Sequence, residues 1–80
     1  MHVAVEISLY PLAGDFIPPI EDFIRRIGAR EGLRVVTNSM STQVSGEFVE
    51  VMLALQEEIA STFAASHRSV FVMKVLGGSD

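Results

Sequence analysis

LRVVTNSMSTQVSG, residues 33 to 46, contains two short strand-like runs held apart by polar residues. Leu33 to Thr37 is rich in β-branched side chains, and Gln43 to Gly46 resumes the pattern. The two therefore read as an antiparallel pair that turns between Asn38 and Thr42. Neither Gly nor Pro marks the turn. Between Thr37 and Gln43 every side chain is a hydroxyl, an amide or a thioether, and this concentration of neutral polar groups calls for a reason.

The segments on either side of the hairpin decide the fold. Upstream, HVAVEISLYPL (residues 2 to 12) alternates strictly. Val3, Val5, Ile7 and Leu9 fall on one face, and Ala4, Glu6, Ser8 and Tyr10 on the other, the period of a half-buried strand that Pro11 ends. After a loop around Ala13, Gly14 and Asp15, the pair Pro18 and Pro19 suits a first helical turn. Ile20, Phe23, Ile24 and Ile27 follow at helical spacing, and Gly28 to Gly32 closes the helix. Downstream, Phe48, Val51, Met52, Leu55, Ile59 and Phe63 form one helical stripe, with Glu47 and Glu50 at the favourable end of the dipole.

SVFVMKVL is a last strand, with Phe71, Met73 and Val75 expected towards the helices and Lys74 on the other face. GGSD, residues 77 to 80, reads as a loose tail. The order βαββαβ, with right-handed crossovers, places both helices on one face of a four-stranded antiparallel sheet. This is an α+β, ferredoxin-like open-faced sandwich. Its bare face carries Glu6, Ser8, Tyr10, Lys74 and half of the hairpin's side chains, which leaves solvent, a second sheet or a ligand as its partner.

Composition narrows the function classes. Eighty residues make a single domain, 1–80, and a chain this short buries only about 60% of its unfolded surface, so burial against a second copy is expected. With 49% hydrophobic and 20% charged residues the chain is expected to fold as a soluble globule. Six basic against ten acidic residues give a net charge of -4, which argues against nucleic acid and anionic membranes as partners. The absence of cysteine removes disulfides, thiol catalysis and thiolate metal sites, and suits a cytoplasmic location. No signal peptide and no membrane span of about 18 apolar residues is expected. His2 and His67 are far apart with no carboxylate at ligand spacing, so no metal site is expected. Nothing resembles a nucleophile elbow or a hydrolytic triad.

Three segments, EISLYPL (Glu6 to Leu12), VTNSMSTQVSGE (Val36 to Glu47) and VFVMKVL (Val70 to Leu76), in this order and spacing, resemble the thiamine-binding protein family. These are small ferredoxin-like proteins related to the bacterial thiamine and hydroxymethylpyrimidine salvage protein that carries two such repeats. The resemblance spans nearly the whole chain. Its most specific parts are Glu-x-Ser-x-x-Pro-Leu at Glu6 to Leu12, and Met40 and Thr42 followed by the pair Gly46 and Glu47. It implies a non-catalytic binder of thiamine or its pyrimidine moiety, without a cofactor, assembling as a homodimer or homotetramer through its sheet faces.

Thiamine joins an aminopyrimidine, which needs donors and acceptors in one plane, to a thiazolium cation, which favours a carboxylate or a π face. Asn38 and Gln43 offer both donor and acceptor, and the hydroxyls of Ser8, Thr37, Ser39 and Thr42 adapt to either role. Tyr10 and Met40 are candidates to sandwich an aromatic ring, though each serves equally as interface or core packing. Glu6, an acid in the middle of a strand, either pairs with Lys74 or holds the ligand. Thr37, Ser39 and Ser41 could equally satisfy backbone groups in a turn that has no glycine.

Two other users of this strand order fit poorly. An acylphosphatase needs an arginine in the loop after the first strand, where PLAGDFIPP has no basic residue. An RNA-recognition domain needs an aromatic platform and a basic surface. The expectation is a cytoplasmic binding protein acting in salvage, delivery or buffering of the vitamin. The alternative is a regulatory or structural homo-oligomerisation module with no dedicated ligand.

Overall fold

Alternation in the first segment produces the strand β1 (His2–Pro11), with Val3, Val5, Ile7 and Leu9 buried on one face. The computed structural model describes every residue except 13, 16, 66, 67, 79 and 80. Ala13 of the expected first loop, His67, and Ser79 and Asp80 of the expected tail therefore lie outside the described residues.

After β1 come α1 (Ile17–Gly28), β2 (Arg34–Thr37), β3 (Thr42–Glu47), α2 (Phe48–Ala65) and β4 (Ser69–Gly77). The sheet is antiparallel with strand order β2-β3-β1-β4, the expected ferredoxin-like arrangement. Pro18 and Pro19 occupy the first turn of α1, where a missing N–H costs nothing, and the Asp15 carboxylate accepts the Ile17 N–H at 3.4 Å. Gly77 is the last residue of β4, opposite Val3.

The start of α2 explains the Gly46 and Glu47 pair. Glu47 caps the helix, its Oε1 accepting the Val49 N–H at 3.0 Å. A Cβ at Gly46 would lie 3.1 Å from Leu33 Cδ2 and 3.4 Å from Val51 Cγ2, so this position needs a residue without a side chain. Both members of the pair are used by the fold.

The core joins Val3, Val5, Ile7, Leu9 and Val44 of the sheet to Phe23 and Ile27 of α1 and Val51, Ala54 and Leu55 of α2. The stripe expected on α2 is turned. Phe48 and Phe63 stay half-exposed, whereas Ala54 and Thr62 are buried, because the helix presents that side to α1. There Arg26 donates to the Asp22 carboxylate at 2.8 Å, the Glu58 carboxylate at 2.5 Å and Thr62 Oγ1 at 2.6 Å, while Arg30 donates to both Glu57 and Glu58. Burial pushes the Glu58 carboxyl up, but hydrogen bonds from Arg30 and then Arg26 outweigh it and hold it below the usual range. This network fastens the two helices by fully used donors, which suits half-buried charge.

Candidate functional site

Period-2 geometry divides the anticipated residues between two sides of the sheet. Thr42 stands opposite the buried Ile7 and opposite Thr37, so both threonines look towards the helices. Their hydroxyl oxygens are 3.1 Å apart and bond to each other. Gln43 stands opposite Glu6, and Glu6 opposite Lys74, on the bare face. Val36, Gln43, Glu6 and Lys74 thus form one rung across all four strands.

The Glu6 carboxylate and the Lys74 ammonium approach to 3.8 Å, with side chains 46% and 82% exposed. Pairing with lysine is therefore what the fold provides for Glu6. The geometry is loose and wet, and so leaves the carboxylate accessible to a ligand.

The turn between β2 and β3 is organised by Asn38. Its Oδ1 accepts the backbone N–H groups of Met40 at 2.8 Å and Ser41 at 3.0 Å, and its own N–H donates to the Ser41 carbonyl at 3.0 Å. An Asx turn replaces the missing glycine. Ser8 Oγ, arriving from β1, donates to the Met40 carbonyl at 3.4 Å and ties the turn to the sheet. Much of the polar stretch is thereby accounted for by backbone satisfaction.

What the turn builds is a cavity of about 180 Å³ at the end of the sheet. Ser8, Tyr10, Thr37, Asn38, Ser39, Met40 and Thr42 supply its rim and walls, and Ile20, Phe23 and Ile24 of α1 its apolar floor. A second concavity, about 210 Å³, lies on the bare face and is bordered by Glu6, Ser8, Tyr10, Met40, Val72 and Lys74. Ser8, Tyr10, Met40 and Ser41 border both. Gln43 reaches neither; it lines a shallower trough with Glu6 and Lys74.

Two features escaped the sequence reading. Ile20, Phe23 and Ile24 have core spacing, so nothing in the pattern marks them as the floor of a cavity. Ser41, read as a turn residue, buries its Oγ between the two concavities without a hydrogen-bond partner among the described residues. Also among the described residues, no group of three or more His, Asp or Glu could hold a metal, and no helix is long and apolar enough to cross a membrane.

The profile of the YKOF-related family matches residues 2–76, from the first residue of β1 almost to the last of β4. The chain belongs to the YKOF-related family. Solved structures agree with this YKOF-related fold. A candidate thiamine biosynthesis/salvage protein of Thermotoga maritima superposes with a TM-score of 0.84 at 24% identity, covering 95% of this chain and 83% of that one. A protein of Streptococcus pneumoniae reaches a TM-score of 0.90 at 22% identity, over 99% and 89% of the two chains. A hypothetical protein of Methanocaldococcus jannascii gives 0.83 at 25% identity, over 99% and 82%. No curated protein matches the chain.

Proposed function

We propose that this YKOF-related protein binds thiamine or its hydroxymethylpyrimidine moiety without catalysis, in salvage, delivery or buffering of the vitamin in the cytoplasm. The observation that carries the reading is the cavity at the β2–β3 turn, where hydroxyl and amide groups surround an apolar floor. A flat aminopyrimidine needs that combination, since ring faces favour Ile20, Phe23 and Ile24 while ring edges need donors and acceptors. Asn38 keeps its Nδ2 hydrogens for a ligand while its oxygen holds the turn. The shared border of Ser8, Tyr10 and Met40 lets a two-ring ligand lean from the cavity onto the bare face, where Glu6 balances a cationic second ring. The likeness to the Thermotoga protein adds to this reading.

A second reading rests on the bare face itself. Tyr10, Val36, Met40, Val72 and Leu76 are all exposed there, which favours a homodimer or homotetramer packed face to face.

Isothermal titration with thiamine and, separately, with hydroxymethylpyrimidine tests the first reading, alongside Glu6→Gln of checked oligomeric state. Saturable binding to the wild type, weakened for thiamine in the variant, is expected. No heat with either compound and an unchanged melting temperature in their presence would remove the ligand and leave the assembly.

A further inference from the structure

The strand at one edge of the sheet has the composition of an interior strand. β4 pairs with β1 on one side and with no strand on the other among the described residues. Its run VFVMKVL is nevertheless apolar on both faces, the signature of a strand covered on both sides and flanked by neighbours. The opposite edge, β2, is protected in the usual manner: four residues long and opened by Arg34. β4 runs for nine residues with one charge.

The helix layer leaves β4 incomplete as well. Met73 stands opposite Ile7 and Val75 opposite Val5, so both point to the helix side. Ile7 and Val5 are each 1% exposed, yet Met73 is 40% and Val75 45% exposed, because both helices pack over β1, β2 and β3. Only Phe71 is covered, its ring 5.0 Å from Phe23 and 5.6 Å from the half-exposed Phe63 of α2. An apolar shelf of Phe63, Met73 and Val75 thus lies beside α2, continuous with an unpaired row of backbone donors and acceptors.

We propose that β4 is completed by β4 of a second copy of this chain, antiparallel across a two-fold axis at Met73, giving one continuous eight-stranded sheet. This edge contact is separate from packing through the bare faces.

The register follows from the sequence of β4. Opposed residues in an antiparallel pair share a face, so a strand that pairs with itself must be centred on a residue. Centring on Met73 sets Phe71 opposite Val75 of the other copy, Val72 opposite Lys74 and Val70 opposite Leu76. The apolar shelf closes on itself, and each Lys74 keeps its own Glu6. Centring on Lys74 would bring two ammonium groups into direct opposition, which is unfavourable. A strand with one charge placed just off its midpoint is self-complementary, whereas an unrelated partner would have to supply that pattern by chance.

Sedimentation velocity of the full chain over a range of concentrations, with hydrogen exchange of the β4 amides, tests the proposal. The wild type is expected to dimerise, and those β4 amides that point away from β1 to be protected in the dimer and exchange freely on dilution. Met73→Lys should raise the dissociation constant by about tenfold or more, whereas Val36→Glu, on the bare face beside β2, should leave it unchanged. A monomer at every concentration would overturn the proposal. So would an assembly whose outward β4 amides exchange freely, or one that Val36→Glu breaks and Met73→Lys spares; this last result would support the face-to-face reading instead.

Discussion

Asn38 holds the backbone of Met40: its side-chain oxygen accepts the Met40 N–H at 2.8 Å, and the Ser41 N–H as well. The residue that offers most to a pyrimidine is thus also the residue that shapes the turn. The two roles use different atoms and can be separated. Asn38→Ala removes the acceptor and should cost about 1 kcal/mol in urea unfolding. Asn38→Asp keeps the acceptor but loses both Nδ2 hydrogens, so stability should stay near wild type while binding of hydroxymethylpyrimidine falls. Undiminished binding by a folded Asn38→Asp would confine Asn38 to the turn.

Why the site was only partly legible follows from the same residues. Alternation in His2–Pro11 identifies which side chains of β1 are buried, because one face of the strand is apolar throughout. The hairpin has no such contrast. Thr42 and Gln43 are both small to medium polar residues, and only the register, Thr42 opposite Ile7 and Gln43 opposite Glu6, shows that they serve opposite sides of the sheet. Thr62 is buried for a reason invisible to hydropathy, since its hydroxyl meets the Arg26 guanidinium. Met73 and Val75 face the helices as their positions in the strand suggest, yet stay exposed because helix reach is a property of the assembled layers.

Glu6 and Lys74 give a second separation of structure from function. Their pair is exposed and 3.8 Å long, so neutralising it should shift unfolding by no more than about 0.5 kcal/mol. Glu6→Gln should therefore fold and melt like wild type. Lys74→Met should do the same and also leave the carboxylate unopposed, strengthening the hold on a cationic ring. Chemical denaturation of both variants, with thiamine titrations beside them, checks this. A loss of stability well above that bound would show that the ion pair belongs to the fold.

Gly46 belongs to the most specific part of the sequence pattern, yet its neighbours are all structural. Leu33, the Gly32 carbonyl and Val51 leave no room for a Cβ, and the φ of 158° is one that side chains rarely adopt. Gly46→Ala should destabilise the protein by about 1 to 3 kcal/mol, through Leu33 displacement and backbone strain. Thermal unfolding measures it. Ligand affinity of the folded fraction should not change, because Gly46 borders neither concavity.

The clamp between the helices should make stability depend on pH in a defined direction. The Glu58 carboxyl is held below its usual range by Arg30 and Arg26 against the opposing effect of burial. Asp22 is lowered by hydrogen bonds from Arg26 first and Arg25 next. A carboxyl whose folded value is depressed contributes stability that is complete above its unfolded value and is lost as the pH falls through the folded one. The unfolded value is about 4, so urea midpoints should be level from neutrality to about pH 5 and then fall progressively on acidification. Glu58→Gln should lower stability at pH 7 by about 1 to 3 kcal/mol, since Arg26 and Arg30 lose a charged acceptor in a half-buried place. It should also flatten the acid limb of the profile. An unaltered acid limb in Glu58→Gln would assign the pH dependence to other carboxylates and leave the clamp a purely geometric contact.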